Sequence, residues 1–298
     1  MDVFGPFNFV GVLIFAVSTL VGFGLVMTVL ERAFRWNKQQ KILRRELSTD
    51  LAYWFVSPIA GAAIRAFISI PIVILAISFV WSTPIAPSDI AKGFGPAADF
   101  AYSGPIQGAL AVLAMLLIND FMLYWTHRMM HRSVFWPFHS IHHSPTELDY
   151  LVSLRTHPVN LLIVNPIKFF PAVFFGFPIE FLLITAPILI FHGLLVHANV
   201  DWDFGPLRKI IASPRFHRWH HTSEAEGLDK NFGGTFAFWD YMFGTAYMPR
   251  DRRATRFGTL GEQVPGHLPG QLLYPFRAGL KRAQVESQKS SVVPGDTA

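Results

Sequence analysis

The sequence predicts an all-α integral membrane protein: about four transmembrane helices in two hairpins, topped by a cytoplasmic helical cap. Three observations carry this. Of 298 residues, 51% are hydrophobic and only 15% charged, and mean hydropathy is +0.35. The apolar residues are gathered into long runs, which points to a bilayer. The histidines, twelve in all, crowd largely into three clusters beside those runs. Cysteine is absent, which excludes disulfides, thiolate zinc sites, cysteine-ligated iron–sulfur clusters and cysteine nucleophiles. The net charge of +5 is modest, no stretch resembles a nucleic-acid module, and the basic residues read as membrane-surface charge.

The first run, Asn8 to Leu30, carries no charge and makes roughly 34 Å of helix. The leader before it holds Asp2 and no Lys or Arg, so a retained transmembrane helix is expected rather than a signal peptide. The basic stretch Arg32, Arg35, Lys38, Lys41, Arg44, Arg45 then marks the cytoplasmic side. Residues 51–82 form a second apolar region interrupted by Arg65 and Pro71. Its charge-free part is short, so its upstream half contributes to the crossing or lies in the interface. The Pro-, Gly- and Ala-rich loop 83–104, with Lys92 as its one basic residue, suits the opposite side. The third run, Ile106 to Trp125, returns to the cytoplasm. The fourth, Val159 to Val196, is too long for one crossing and is broken by Pro166, Pro171, Pro178 and Pro187, which favours a kinked hairpin or re-entrant pair. From Asn199 the chain is polar, basic and cytoplasmic, and its last dozen residues read as a disordered tail. Three units result: an N-terminal transmembrane hairpin region (1–104), a histidine-bearing domain (105–250) and a partly disordered cytoplasmic tail (251–298).

The clusters are His127 and His131; His139, His142 and His143; and His217, His220 and His221. Imidazole suits Fe, Zn, Cu and Ni, and eight such groups exceed the needs of one ion. Histidines three or four residues apart share a helical face. The adjacent pairs His142–His143 and His220–His221 diverge by roughly 100° and can serve two separate ions, so a dimetal site is expected. A solvated surface would scarcely place three clusters on one side of a membrane. His197, where the fourth run meets the cytoplasm, is read as a ninth ligand, the alternative being a helix-end hydrogen bonder. His157 either reaches the site or pins the turn before Pro158. His192 reads as a core or substrate-channel polar group, and His267 as solvated. Asp120 and Tyr124 lie on the face of His127, where either group can accept the second ring N–H of a ligand histidine. The alternatives are an interfacial carboxylate in water and an interfacial tyrosine.

The stretches Asp120-Phe-Met-Leu-Tyr-Trp-Thr-His-Arg-Met-Met-His, Trp136-Pro-Phe-His-Ser-Ile-His-His-Ser and Pro214-Arg-Phe-His-Arg-Trp-His-His, with Lys230-Asn-Phe-Gly-Gly and Trp239-Asp-Tyr-Met-Phe-Gly-Thr downstream, resemble the fatty acid hydroxylase/sterol desaturase superfamily, in particular its bacterial branch. The resemblance covers roughly residues 115–250. It implies a di-iron centre, with zinc as a possible substitute, on a small bundle of membrane helices in the bacterial inner membrane. It implies an O2-dependent oxidoreductase that hydroxylates or desaturates a lipid C–H bond. The eight clustered histidines carry over as metal ligands, with His197 as a further one, and Asp120 and Tyr124 match the acidic and aromatic positions before the first cluster. No haem, flavin or nicotinamide fingerprint is present, so an external electron donor is implied. Phe169, Phe170, Phe174 and Phe175 are candidates to line the lipid chain, although aromatic membrane helices are more often packing. Arg215 and Arg218 are candidates to meet a lipid phosphate or a donor protein, although ordinary membrane-side charge is favoured.

Sterol C-4 oxidation and ether-lipid monooxygenation are alternatives within the same chemistry. From another class, a metal transporter would carry its ligands near the bilayer midplane, whereas these lie at its edge. A non-catalytic zinc scaffold is compatible with histidine-only ligation.

Overall fold

The structure, a computed structural model, describes residues 9–82, 89 and 92–278. Among them every regular element is helical, and the β pairings are three isolated bridges, Arg35–Val200, Ile211–Phe236 and Thr222–Phe257. The first apolar run forms α1 (Phe9–Ala33). The second forms one rod made of α2 (Leu47–Ile64), a π-turn (Arg65–Ser69) and α3 (Ile70–Trp81). Pro71 has no N–H to continue the α ladder, and the Ile70 N–H reaches back five residues to Arg65 O, so the helix widens instead of breaking. The upstream half of this region therefore contributes to the crossing. After a short α4 (Gly95–Tyr102) comes α5 (Pro105–Met130). These three long helices are apolar and long enough to cross a membrane. Large apolar side chains, among them Ile14, Val21 and Leu25 on α1 and Ile72, Leu75 and Phe79 on α3, face outward. A wall of that kind is untenable in water and natural against lipid.

The fourth apolar region folds as a short hairpin, α7 (Pro158–Phe174) and α8 (Ile179–His197), with Pro166, Pro171 and Pro187 inside the helices and Pro178 at the start of α8. Three long helices plus this hairpin thus stand where four spans are expected. At the turn Gly176 adopts φ 75°, and its carbonyl accepts from Phe94 N at 2.9 Å. A Cβ there would run into Phe94 O, so only glycine fits. Phe170 and Phe174 pack against Val73, Ile77 and Val173, and Phe175 is exposed. These three are packing or lipid-facing residues, not the lining of a chain tunnel. The side chain of Phe169 and the last dozen residues lie outside the described residues.

The cap is built from α6 (Trp136–His143), α9 (Pro214–His220), α10 (Phe238–Met242), three 3-10 turns and a helix over 268–278, here α11. A core of Ala16, Met27, Trp54, Leu151, Leu194 and Val200 locks α1, α2 and α8 to the turn Tyr150–Leu154. Trp54 Nε1 donates to Ala16 O at 3.0 Å, which satisfies its one polar atom inside that core. α11 lies against α6, with Phe276 close to Phe138 and His157.

A buried ion network joins the N-terminal helices to the cap. Arg44 donates to Asp149 (2.6 and 2.7 Å) and to Asp50 (2.5 Å). Arg155 donates to the other Asp50 oxygen (2.5 Å) and to Glu46 (2.8 Å). The side chain of Asp50 is fully buried, as is that of Arg155. Arg44 therefore departs from its expected place among surface charges. Breaking such a network by removing one partner strands the other charges in a medium that cannot solvate them, at about 3–5 kcal/mol. Asp50→Ala is expected to lower the Tm of the detergent-solubilised protein strongly, because it leaves two buried arginines with one carboxylate each, Asp149 for Arg44 and Glu46 for Arg155. An unchanged Tm would show that solvent reaches the network.

Candidate metal centre

The nine histidines gather where α5, α6, α8 and α9 meet. Two groups form, in each of which one ring nitrogen per residue lies within 4.8 Å of the others: His127, His131, His139, His143 and His220; and His142, His197, His217 and His221. Helix geometry sorts them. The i,i+4 pairs 127/131, 139/143 and 217/221 each stay in one group, while the adjacent pairs 142/143 and 220/221 split between the two. The structure thus gathers all eight clustered histidines with His197, in a five-plus-four division.

The protein fixes the outward nitrogen of most of these rings. His127 Nδ1 donates to Phe232 O, His220 Nδ1 to Lys230 O, His142 Nδ1 to Arg155 O and His197 Nδ1 to Gly193 O, at 2.7 to 3.2 Å. His139 Nδ1 donates to Asn160 Oδ1 (3.3 Å) and His131 Nδ1 to Asp229 Oδ1 (3.1 Å). With the ring proton held on Nδ1, each Nε2 is a lone pair aimed inward. Between His127 and His139, and between His142 and His197, two such Nε2 atoms face each other at 3.1 Å. Neither has a proton to share, so the contact is repulsive unless a cation lies between. His131 and His220 leave Nε2 buried and unpartnered. Convergent, proton-free imidazoles in a dry site are the donor set of a borderline metal ion.

The downstream glycine-rich segment supplies this support. Asp240 accepts from Phe232 N and Gly233 N, both at 2.7 Å, and from Thr245 Oγ1. Asn231 donates to Phe216 O and Tyr247 O. These bonds hold the Lys230 and Phe232 carbonyls against His220 and His127. A Cβ at Gly233 would meet Phe236 O and Asp240 Oδ2.

Asp120 departs from its expected role. It accepts from Thr235 N (2.8 Å), Phe236 N (3.0 Å) and Trp239 Nε1 (3.1 Å), not from a histidine. The backbone amides of the glycine-rich turn occupy it first. Tyr124 likewise shares a hydrogen with Thr245 Oγ1 (2.8 Å) and stacks on Phe243. Both residues brace the 232–245 segment, which in turn orients the histidines. His157 pins its turn, accepting from Val159 N and donating to Leu272 O. His192 donates to Ala212 O, and His267 is exposed and accepts from Gly270 N. Arg218 is buried and donates to Leu148 O and Ala198 O, whereas Arg215 pairs with Asp201. The acceptors Asp229 and Asn160 escape a reading of the sequence. Asp229, with φ 53°, sits at a left-handed position next to Lys230-Asn-Phe-Gly-Gly, the one local signal that could have marked it.

A cavity of about 290 Å³ opens beside the histidines, between α5, α7, α8 and residues 234–236. It touches His127, His139, His142, His197 and His217 and continues past Leu116, Val164 and Leu189.

Burial first, then neighbouring imidazoles, holds His139, His142, His143, His217, His220 and His221 well below the ordinary histidine value. The unfolded chain takes up protons near pH 6.5, while the folded one resists. The stability these neutral rings contribute is complete above that pH and is lost as pH falls below it toward the depressed folded values. The Tm of chelator-stripped protein is therefore expected to fall on acidification from about pH 7.5 to about 5.5. A flat profile would mean the rings titrate in water.

Among protein families, fatty acid hydroxylase matches residues 112–245. An ornithine lipid hydroxylase of Rhizobium tropici is 30% identical over 278 residues, 92% of this chain and 79% of that protein. Human alkylglycerol monooxygenase is 30% identical over 132 residues, 42% of this chain and 28% of that protein. A methylsterol monooxygenase of Arabidopsis thaliana is 29% identical over 151 residues, 47% of this chain and 50% of that protein. The chain thus spans half or less of the last two. No solved structure matches. With a likeness that runs through nearly the whole chain, and a family match that spans all nine gathered histidines, the protein belongs to the fatty acid hydroxylase/sterol desaturase superfamily.

Proposed function

We propose that the protein is a membrane-bound di-iron lipid hydroxylase. The observation that carries this is the pair of converging imidazole groups beside a cavity within an apolar helical bundle. His127, His131, His139, His143 and His220 hold one metal ion, and His142, His197, His217 and His221 the other. Iron bound there supplies O2 activation and the oxidising power to attack an unactivated C–H bond. The chain's own residues do the rest. The carbonyls of Phe232, Lys230, Arg155 and Gly193 keep His127, His220, His142 and His197 in the ligating tautomer. Leu116, Leu123, Val164, Leu189 and Val196 exclude water from the cavity and hold the substrate against the histidines.

The substrate class is a lipid, in line with ornithine lipid, alkylglycerol and methylsterol in the names of the relatives. Hydroxylation is favoured over desaturation, because those names are of hydroxylases and monooxygenases. Electrons come from an external donor. The histidines lie at the same end of the bundle as the connection after α1, where Asn37 and Asn199 bond to each other. That connection carries Arg35, Lys38 and Lys41, so the metal centre faces the cytoplasm, in a bacterial inner membrane.

Elemental analysis of detergent-purified protein grown with iron is expected to give about two irons per chain. His139→Ala and His143→Ala should lose one ion, His217→Ala and His221→Ala the other, and all four should abolish O2-dependent lipid oxidation. His267→Ala should leave both unchanged. Zinc retained despite available iron, with no O2 uptake on reduction, would favour a zinc scaffold instead.

A further inference from the structure

The cavity beside the histidines reaches a part of the bundle more polar than an acyl chain requires. Asn119 and Asp120 of α5, Asn160 and Lys168 of α7 and His192 of α8 all line it. Three of the five are engaged by the protein itself: Asp120 by two backbone amides and Trp239, Asn160 by His139, and His192 by Ala212 O. The other two are not. Among the described residues the Lys168 ammonium makes no hydrogen bond and no ion pair, while Leu116, Val164 and Leu189 share its cavity. Asn119 donates its amide to Met115 O, but its buried Oδ1 has no partner.

An ammonium held at membrane depth without a hydrogen bond or a direct ion pair is costly and is retained where a ligand supplies one. The electrostatic surroundings sharpen this. Asp120 is the acid that acts on Lys168, and its oxygens already take three donors, whereas Arg65 of the π-turn adds a second cation. Among the described residues the local balance is therefore positive. A cavity of about 290 Å³ holds a small head group and part of one chain, not two acyl chains.

We propose that Lys168 seats a carboxylate of the substrate and that Asn119 Oδ1 takes a neighbouring N–H. A free carboxylate beside an amide N–H is the signature of an acylated amino acid, which is the lipid class this cavity fits. The inference rests on the lipid-hydroxylase reading and narrows it. It also sets a ruler. Asn160, which orients His139, and Lys168 are eight residues apart on α7, about 12 Å along the helix axis. Oxidation then falls at a fixed spacing from the carboxylate, whatever the length of the acyl chain.

The test uses the full chain in phosphatidylcholine nanodiscs with two probes, N-palmitoylglycine and its neutral carboxamide. Wild type is expected to bind the carboxylate at least about tenfold more tightly, worth about 1.4 kcal/mol. Lys168→Met removes that preference while leaving carboxamide binding unchanged, and Lys168→Arg keeps most of it. Equal binding of both probes by wild type overturns the proposal, and so does an equal loss for both in Lys168→Met. Should Lys168→Met fail to fold, the wild-type comparison alone decides. Phosphatidic acid bound as tightly as N-palmitoylglycine would overturn the assignment to a carboxylate. Binding is read without turnover, which separates the two readings. Carboxylate-selective binding with no lipid oxidation sinks the hydroxylase reading alone. Lipid oxidation indifferent to Lys168 and to the carboxylate sinks this one.

Discussion

Lone pairs that face one another at 3.1 Å repel, and most of the cap exists to hold them there. Six of the nine rings would be free to turn away were their outward nitrogen not held. Four carbonyls from three separate segments, with Asn160 and Asp229, prevent this. The rigidity is indirect in places. Asp240 and Asn231 bond to the backbone rather than to a histidine, and so fix the segment whose carbonyls hold the rings. Substitutions in the 231–245 segment therefore act on the metal centre through backbone position rather than through lost ligands.

Charge is distributed with a corresponding economy. The histidines of the cap are held toward the neutral form by burial, while full charges are placed in the adjoining network around Asp50. The two are linked through one residue: Arg155 gives its carbonyl to His142 and its guanidinium to Asp50 and Glu46. The connection between α1 and α2, remote in sequence from every ligand, thereby sets the position of a ring in the second histidine group.

Much of this was legible from residue spacing. The i,i+4 pairs and the splitting of adjacent histidines follow from 3.6 residues per turn, and the long helices from unbroken apolar runs. What escaped has physical reasons. A backbone carbonyl carries no residue signature, so the partners of His127, His142, His197 and His220 could not be read. Asp120 lies on the helix of the first cluster, but its partners could not be read from spacing, because the glycine-rich turn that captures it is more than a hundred residues away. Arg44 looks like one more membrane-side cation until Asp149 is brought to it across the fold. Lys168 lies in an otherwise apolar run, and only the cavity shows what surrounds it.

The residues that match the family, 112–245, include Asp149 and Arg155 but stop short of Arg44, Glu46 and Asp50. A fragment cut at those limits would keep the full set of histidines and yet bury the guanidinium of Arg155 with neither of its carboxylates. The segment recognisable across distant relatives is thus smaller than the segment that is electrostatically closed. Any attempt to graft this centre onto another scaffold would have to carry the start of the second helix with it.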